Sequence, residues 1–294
     1  MLETVHSETT ALTDDNRLVD EIYKGTYHFH FQKVDSLILL NDLNHAKNLR
    51  YNLAVVNYYW WRLISGEENG KFSSMVSKRI EQIKTNFPAG KSGRNDEQLF
   101  MLISIYAYSA RISLLDYSYY SALNDLSHYY SLLKLSFGKE EVYTSFYLTS
   151  GLYYFFAGYA KEKMPLLTPL LYLYTPGNME KGIRYIKKAE LSGDKEISQE
   201  AKYFLMKINF DVYQNFTESA KYCHQLMAMY PENLLFQLYM FRISLALDQV
   251  SSAKARLAVI ESTARNNSQL TKDEKESYTR LAKKYLDAYY KKKN

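Results

Sequence analysis

A small residue followed by apolar residues four and seven positions later recurs along this chain, and near the C-terminus the set repeats after 34 positions. Ala253, Leu257 and Ile260 follow Ser219, Cys223 and Leu226 by 34 residues, and those follow Gly182, Ile186 and Ala189 by 37. Spacing of four and seven places three side chains on one face of a helix, and a small first residue suits a face that a neighbouring backbone approaches. A chain with this repeat is expected to bury its faces helix against helix, each unit on its neighbours. Val76, Ile80, Ile83 and Ala122, Leu126, Tyr129 carry the same spacing upstream. There the intervals are 46 and 60, so the N-terminal half is expected to be irregular.

Breakers separate the helical stretches. All five prolines (Pro88, Pro165, Pro169, Pro176, Pro231) fall at or near expected joints. The first helices are expected at about 16–25 and 31–43, after a flexible start over residues 1–15. Further helices are expected at 48–65, 72–86, 95–116, to about Gly138, and 144–161. A short element over 164–173 follows, and Pro169 would interrupt it. From Asn178 the pattern tightens into helices at 179–191, 198–213, 217–229, 233–247 and 251–264. Asn95 with Gln98 reads as an N-terminal cap, and Thr271 with Glu274 as a capping box. The latter opens a last helix to about Tyr290, with Tyr278, Leu281 and Tyr285 on one face and lysines on the other. Residues 16–177 and 178–294 thus read as two stretches of one continuous array.

Bulk properties fit a folded chain: 47% hydrophobic and 23% charged among 294 residues. Twenty-nine tyrosines are the outlier, and an amphipathic ring suits a helix packed on one side and wet on the other. The net charge of +5 reads as diffuse, and Lys291, Lys292 and Lys293 as the solvated end of a helix. Cys223 is the single cysteine, which excludes an internal disulfide and a four-cysteine zinc site; its place in a packing triad points to a buried thiol. Met1 to Asp15 shows no basic stretch followed by an apolar run, although an exported protein read without its leader would begin the same way. Compartment therefore stays open. Val142 to Ala160 is 19 residues without charge, but its serines, threonines and tyrosines read as a buried helix rather than a membrane span.

Cys223 to Asn233 reads CHQLMAMYPEN, ending in a Tyr-Pro-Glu-Asn turn, and NMEKGIRYIKKA spans Asn178 to Ala189. Here the chain resembles the tetratricopeptide-repeat family, over about Asn178 to Ala264. The resemblance implies an all-α fold, a right-handed α-α superhelix of helical hairpins with a capping helix at the C-terminus. It also implies a non-enzymatic scaffold whose first helices line a concave groove for a protein or peptide. Carried onto the matched units, the groove positions are Ala201, Phe204, Ile208 and Asp211, then Leu235, Leu238 and Arg242. Arg242 could grip a carboxylate with two hydrogen bonds; the apolar members could equally pack under another helix. The chain departs from the family at Lys207 and Phe241, where a small first-helix residue is expected. Tyr58, Tyr59, Trp60, Trp61 beside RLISGEEN resemble helical repeat proteins of exported bacterial type.

Enzyme chemistry has little to stand on. Gly90, Lys91, Ser92 lack the earlier glycine of a phosphate loop, since Thr85 stands there. His28 and His30 have no accompanying ligand cluster and read as packing or solvated histidines. No nucleophile elbow is present, and neither cofactor nor metal is expected. Two other functions remain to be weighed: single-stranded nucleic acid stacked on tyrosines, and an enzyme site in the irregular centre around Tyr143 to Tyr174.

Overall fold

The computed structural model describes residues 2–65, 69–115, 119–163 and 174–293, and all regular structure among them is helical. Among the described residues thirteen α-helices run in order. These are α1 (Leu2–Tyr27), α2 (Phe31–His45), α3 (Leu49–Ser65), α4 (Asn69–Asn86), α5 (Asp96–Leu115), α6 (Tyr119–Leu133) and α7 (Phe146–Lys163). Then come α8 (Met179–Glu190), α9 (Lys195–Lys207), α10 (Phe216–Met229), α11 (Leu234–Ala246), α12 (Val250–Asn266) and α13 (Lys272–Lys293). A π-helical turn, Ile208–Val212, continues α9. The first helix starts at Leu2 rather than near Asn16: no proline or glycine before Gly25 interrupts it. The short element expected over 164–173 lies outside the described residues, as does the side chain of Ala122.

Local chemistry sets the helix starts. The side-chain oxygen of Asn95 accepts from the Gln98 amide at 2.8 Å, as the sequence predicts. Thr271 and Glu274 form the reciprocal box: the Thr271 amide donates to Glu274 Oε2 at 2.8 Å and the Glu274 amide to Thr271 Oγ1 at 3.3 Å. Asn178, Asp194 and Asn233 cap α8, α9 and α11 in the same manner.

The helices form two compact units. Unit 1 comprises residues 1–79 and 223–294; unit 2 is the continuous stretch 80–222.

Unit 1 joins both ends of the chain. Its core contains Trp61, with ring centroids 4.8 Å from Tyr27 and 5.7 Å from Phe236. The α1–α2 turn is clamped by residues more than 200 positions away. Asn233 Nδ2 donates to the Tyr27 carbonyl at 2.8 Å, Asn267 Nδ2 to the Phe29 carbonyl at 3.4 Å, and the Lys33 amide to Gln269 Oε1 at 3.0 Å. His30 Nε2 lies 3.0 Å from Glu232 Oε2, and the His28 ring meets Tyr230 edge-on. Phe29 itself sits at φ 59°, the left-handed region that a bulky residue enters only at a cost of about 1–2 kcal/mol. Its ring is fully buried near Phe31 and Tyr278, which offsets that cost.

Unit 2 is built on close helix crossings. A Cβ on Gly182 of α8 would lie 2.5 Å from the Phe155 nitrogen of α7, and one on Gly151 would lie 2.9 Å from the Ile186 nitrogen. At these points the two backbones touch, which is the role the small residue of the repeat predicts at Gly182. Tyr130, Tyr153, Tyr154, Phe137 and Tyr174 form an aromatic cluster beside this crossing, and Tyr130 and Tyr153 both hydrogen-bond Thr175.

The repeat face is largely buried, with Val76, Ile80 and Ile83 of the irregular half as deep as the regular positions. Gly182, Ile186, Ala189, Ser219, Cys223, Leu226, Ala253 and Ile260 are all buried, while Leu257 and the upstream Leu126 are half-buried. Ser219 Oγ donates to the Met206 carbonyl at 2.9 Å, and Cys223 Sγ to the Phe236 carbonyl at 3.3 Å.

Candidate functional site

The seven groove positions expected from the family resemblance divide between the units, four in unit 2 and three in unit 1. Most are unavailable to a ligand. Ala201 and Ile208 are buried in α9 and its π turn, and Leu235 and Leu238 are 8% and 5% exposed in α11. Phe204 is half-buried beneath the Arg111 guanidinium, 5.2 Å from its ring centroid. Asp211 pairs with Lys207 at 3.1 Å on the surface. Arg242 is half-buried and lies over two rings, 5.3 Å from Tyr239 and 4.8 Å from Tyr285, so its planar face stacks on tyrosines. As a set these residues are core and core edge. The apolar spacing that marked them fits a buried stripe as well as a groove, and burial decides between the two.

Among the described residues, buried cations and carboxylates pair around Arg62, Arg79 and Lys84, and the buried Glu140 accepts from the Gly138 amide. Arg62 in α3 is 7% exposed and reaches Glu274 at 2.7 Å, Asp35 at 3.2 Å and the Tyr58 hydroxyl at 2.6 Å, under the Phe31 and Phe72 rings. Burial, reinforced by Asp35, pushes the Tyr58 phenol far above its ordinary range, so it remains a hydroxyl that donates to Asp35 at 2.7 Å. Arg79 in the same unit bonds Asn52 at 3.1 Å and pairs with Asp42. In unit 2, Lys84 Nζ contacts Asp125 at 2.7 Å and Ser109 Oγ at 3.0 Å, and Ser109 donates to Asp125 at 2.6 Å.

This last trio has the composition of a serine nucleophile beside a lysine base, but its protonation runs the other way. Burial lowers the lysine pKa, yet the hydrogen bonds that Lys84 donates to Asp125 and Glu81 outweigh burial and hold it above the usual range. A charged ammonium cannot take the Ser109 proton. The cluster is an ion pair with a serine strut.

Around Tyr143 to Tyr174, where a catalytic pocket was one expectation, residues 164–173 lie outside the described residues, and α7 buries Phe146, Leu148, Ser150, Tyr154 and Phe155. Of the Val142–Ala160 stretch, residues from Phe146 onward are helical and largely packed, while Val142 is exposed in the preceding turn, and no described helix is long and apolar enough to cross a membrane. Among the described residues no group of three His, Cys, Asp or Glu side chains gathers as a metal site would need. His28 and His30 stack on each other at 5.5 Å within the clamped α1–α2 turn.

Among the described residues an open groove of about 1100 Å³ lies between α12 and α13 of unit 1. One face of α13 lines it with Lys272, Lys275, Arg280, Lys283, Lys284 and Lys291, and α12 adds Arg265, Glu261 and Ala264. Seven cations face three carboxylates, Glu276 and Asp287 being the other two. Helix α13 alone holds eight basic and four acidic residues, a surplus of four in a chain whose net charge is +5. The positive charge is therefore concentrated, which corrects the diffuse distribution expected from the sequence. Lysines three and four apart look scattered along the chain but share one helix face.

The groove walls are fixed at both ends. Glu274 ties the start of α13 to Arg62, and Tyr289 and Lys293 hold its end on Asp248, the latter at 3.0 Å. Tyr278 and Ala282 are buried beneath. Projecting α13 on a helical wheel exposes the basic stripe in the sequence itself; the share contributed by α12 needs the fold.

Compared with known proteins, the chain matches no protein-family model, no curated protein and no solved structure.

Proposed function

We propose that this protein is a non-enzymatic scaffold that binds a protein or peptide, with helical hairpins stacked in the tetratricopeptide manner. The observation that carries the binding reading is the preformed groove between α12 and α13, whose walls are pinned by Glu274 and Asp248. A surface fixed before the partner arrives loses little conformational freedom on binding. The hairpin reading rests on the largely buried triads spaced by 34 residues and on packing such as that of α5 on α6 and α11 on α12. This surface differs from the concave positions that the family resemblance suggests, of which Ala201, Ile208, Leu235 and Leu238 are buried.

The tyrosine excess supports packing over nucleic-acid stacking. Tyr27, Tyr51, Tyr58, Tyr129, Tyr154 and Tyr278 are among the many buried rings, and a ring in the core cannot stack on a base.

Selection of displayed peptides on the intact protein tests the reading. Recovered sequences should bind the folded protein in solution with Kd of about 1–100 μM, a range ordinary for short segments. If no selected sequence binds better to folded than to denatured protein, the scaffold reading fails.

A further inference from the structure

We infer that the α12–α13 groove takes an acidic helix of a partner protein, a step that rests on the scaffold reading above. The groove runs beside α13 from Lys272 to Lys291, a length of about 28 Å at 1.5 Å per residue. Two helices side by side leave a furrow in which a third can lie, as in any layer of stacked helices. Here the furrow is charged rather than apolar.

Lys283 is paired with Glu261 at 3.1 Å and Lys272 with Glu276 at 3.8 Å. Among the described residues Arg265, Lys275, Lys284 and Lys291 form no ion pair. They present four cations to an occupant, Arg265 on α12 and Lys275, Lys284 and Lys291 spread along α13. A partner helix with carboxylates every three or four positions would keep several of them within reach of these cations along its length. Small side chains at Ala264, Thr279 and Ala288 line the same groove and leave room for the partner's backbone to come close.

Two observations favour a polypeptide over a nucleic acid. No aromatic ring lines the groove, so bases would find nothing to stack on. Glu261, Glu276 and Asp287 also line it, and a phosphate backbone, negative at every step, would run against all three. A protein helix can set a lysine or a neutral residue opposite each.

The test uses the full chain and three labelled probes of equal length. These are a glutamate-rich helical peptide of about 18 residues, its glutamine counterpart and an oligothymidylate, read by fluorescence anisotropy. The acidic peptide should bind and the glutamine peptide should not, with affinity falling as salt rises from about 50 to about 300 mM. Lys275→Glu with Lys284→Glu should weaken the acidic peptide about tenfold or more while circular dichroism and melting stay unchanged. Lys275→Gln with Lys284→Gln should give a smaller loss, since charge is removed rather than reversed.

Equal binding of the two peptides overturns the inference, as does an acidic peptide indifferent to both double variants. Tighter binding of the oligothymidylate, lost in the same variants, would assign the groove to nucleic acid. If selected peptides bind the protein but are neither acidic nor sensitive to these variants, the scaffold reading stands and this inference alone falls. If no peptide of any kind binds, both fall.

Discussion

Unit 1 and unit 2 solve the same problem, burying helices against one another, by opposite means. Unit 1 is drawn from two stretches of chain and uses polar clamps across the gap: Asn233 and Asn267 reach carbonyls 206 and 238 positions away, and Arg62 holds Glu274. Unit 2 is continuous in sequence and packs tightly at glycines, with α7 and α8 touching through Gly151 and Gly182 and aromatic rings filling the sides. It has a buried ion pair of its own in Lys84 and Asp125, but its crossings are set by the absence of side chains. Distant segments have no short connection to fix their register, so directional bonds must do so. Unit 2 fixes its α7–α8 crossing instead by the shape of two backbones in contact.

That contrast can be broken most forcefully at Arg62. Arg62→Ala leaves Glu274 and the Tyr58 hydroxyl buried without their cation and should cost about 4 kcal/mol, read as a lowered denaturant midpoint. If the loss were under about 1 kcal/mol, the clamps of unit 1 would be ornament on an apolar core. Gly182→Ala probes the other unit. Alanine gains about 1 kcal/mol in helix propensity, but its methyl would press on the Phe155 backbone, so a net loss of about 2 kcal/mol is expected by thermal melting. A neutral or stabilising result would show that α7 and α8 can slide apart.

Thr271→Ala sharpens the comparison at the surface. It removes the cap of α13 and should cost about 1 kcal/mol, visible in equilibrium unfolding. The smallest effect concerns Cys223, whose thiol burial pushes up from 9.0 to about 12. Between those values the unfolded chain has released the proton and the folded chain keeps it. Stability contributed by this group is therefore intact below pH 9 and falls as pH rises toward 12. At neutral pH the thiol should resist a disulfide reagent until the protein is unfolded, and rapid labelling of the native protein would contradict its burial.

Much of the local structure is legible in the chain. Asn95 with Gln98 and Thr271 with Glu274 form the caps their spacing implies, because a cap needs only residues three apart. Gly182 and Cys223 sit at buried crossings as the repeat requires. The candidate groove fared otherwise: Ala201, Ile208, Leu235 and Leu238 carry the right spacing yet lie in the core, since an apolar stripe has the same pattern whether another helix or a ligand covers it. The start of α1 at Leu2 escaped the reading because its polar face gives no apolar rhythm, although nothing in the sequence stops the helix.

The sequence by itself determined that this chain is helical, where most of its helices begin, and which faces they bury, because period and capping act over a few residues. Only the tertiary structure decided that residues 27–33 meet residues 232–269, and that Arg265 of α12 joins the lysines of α13 along one groove. Those pairings hang on contacts between segments far apart in the chain, which compete with many alternatives of similar local chemistry. They are selected by the packing of the whole unit rather than by any stretch within it.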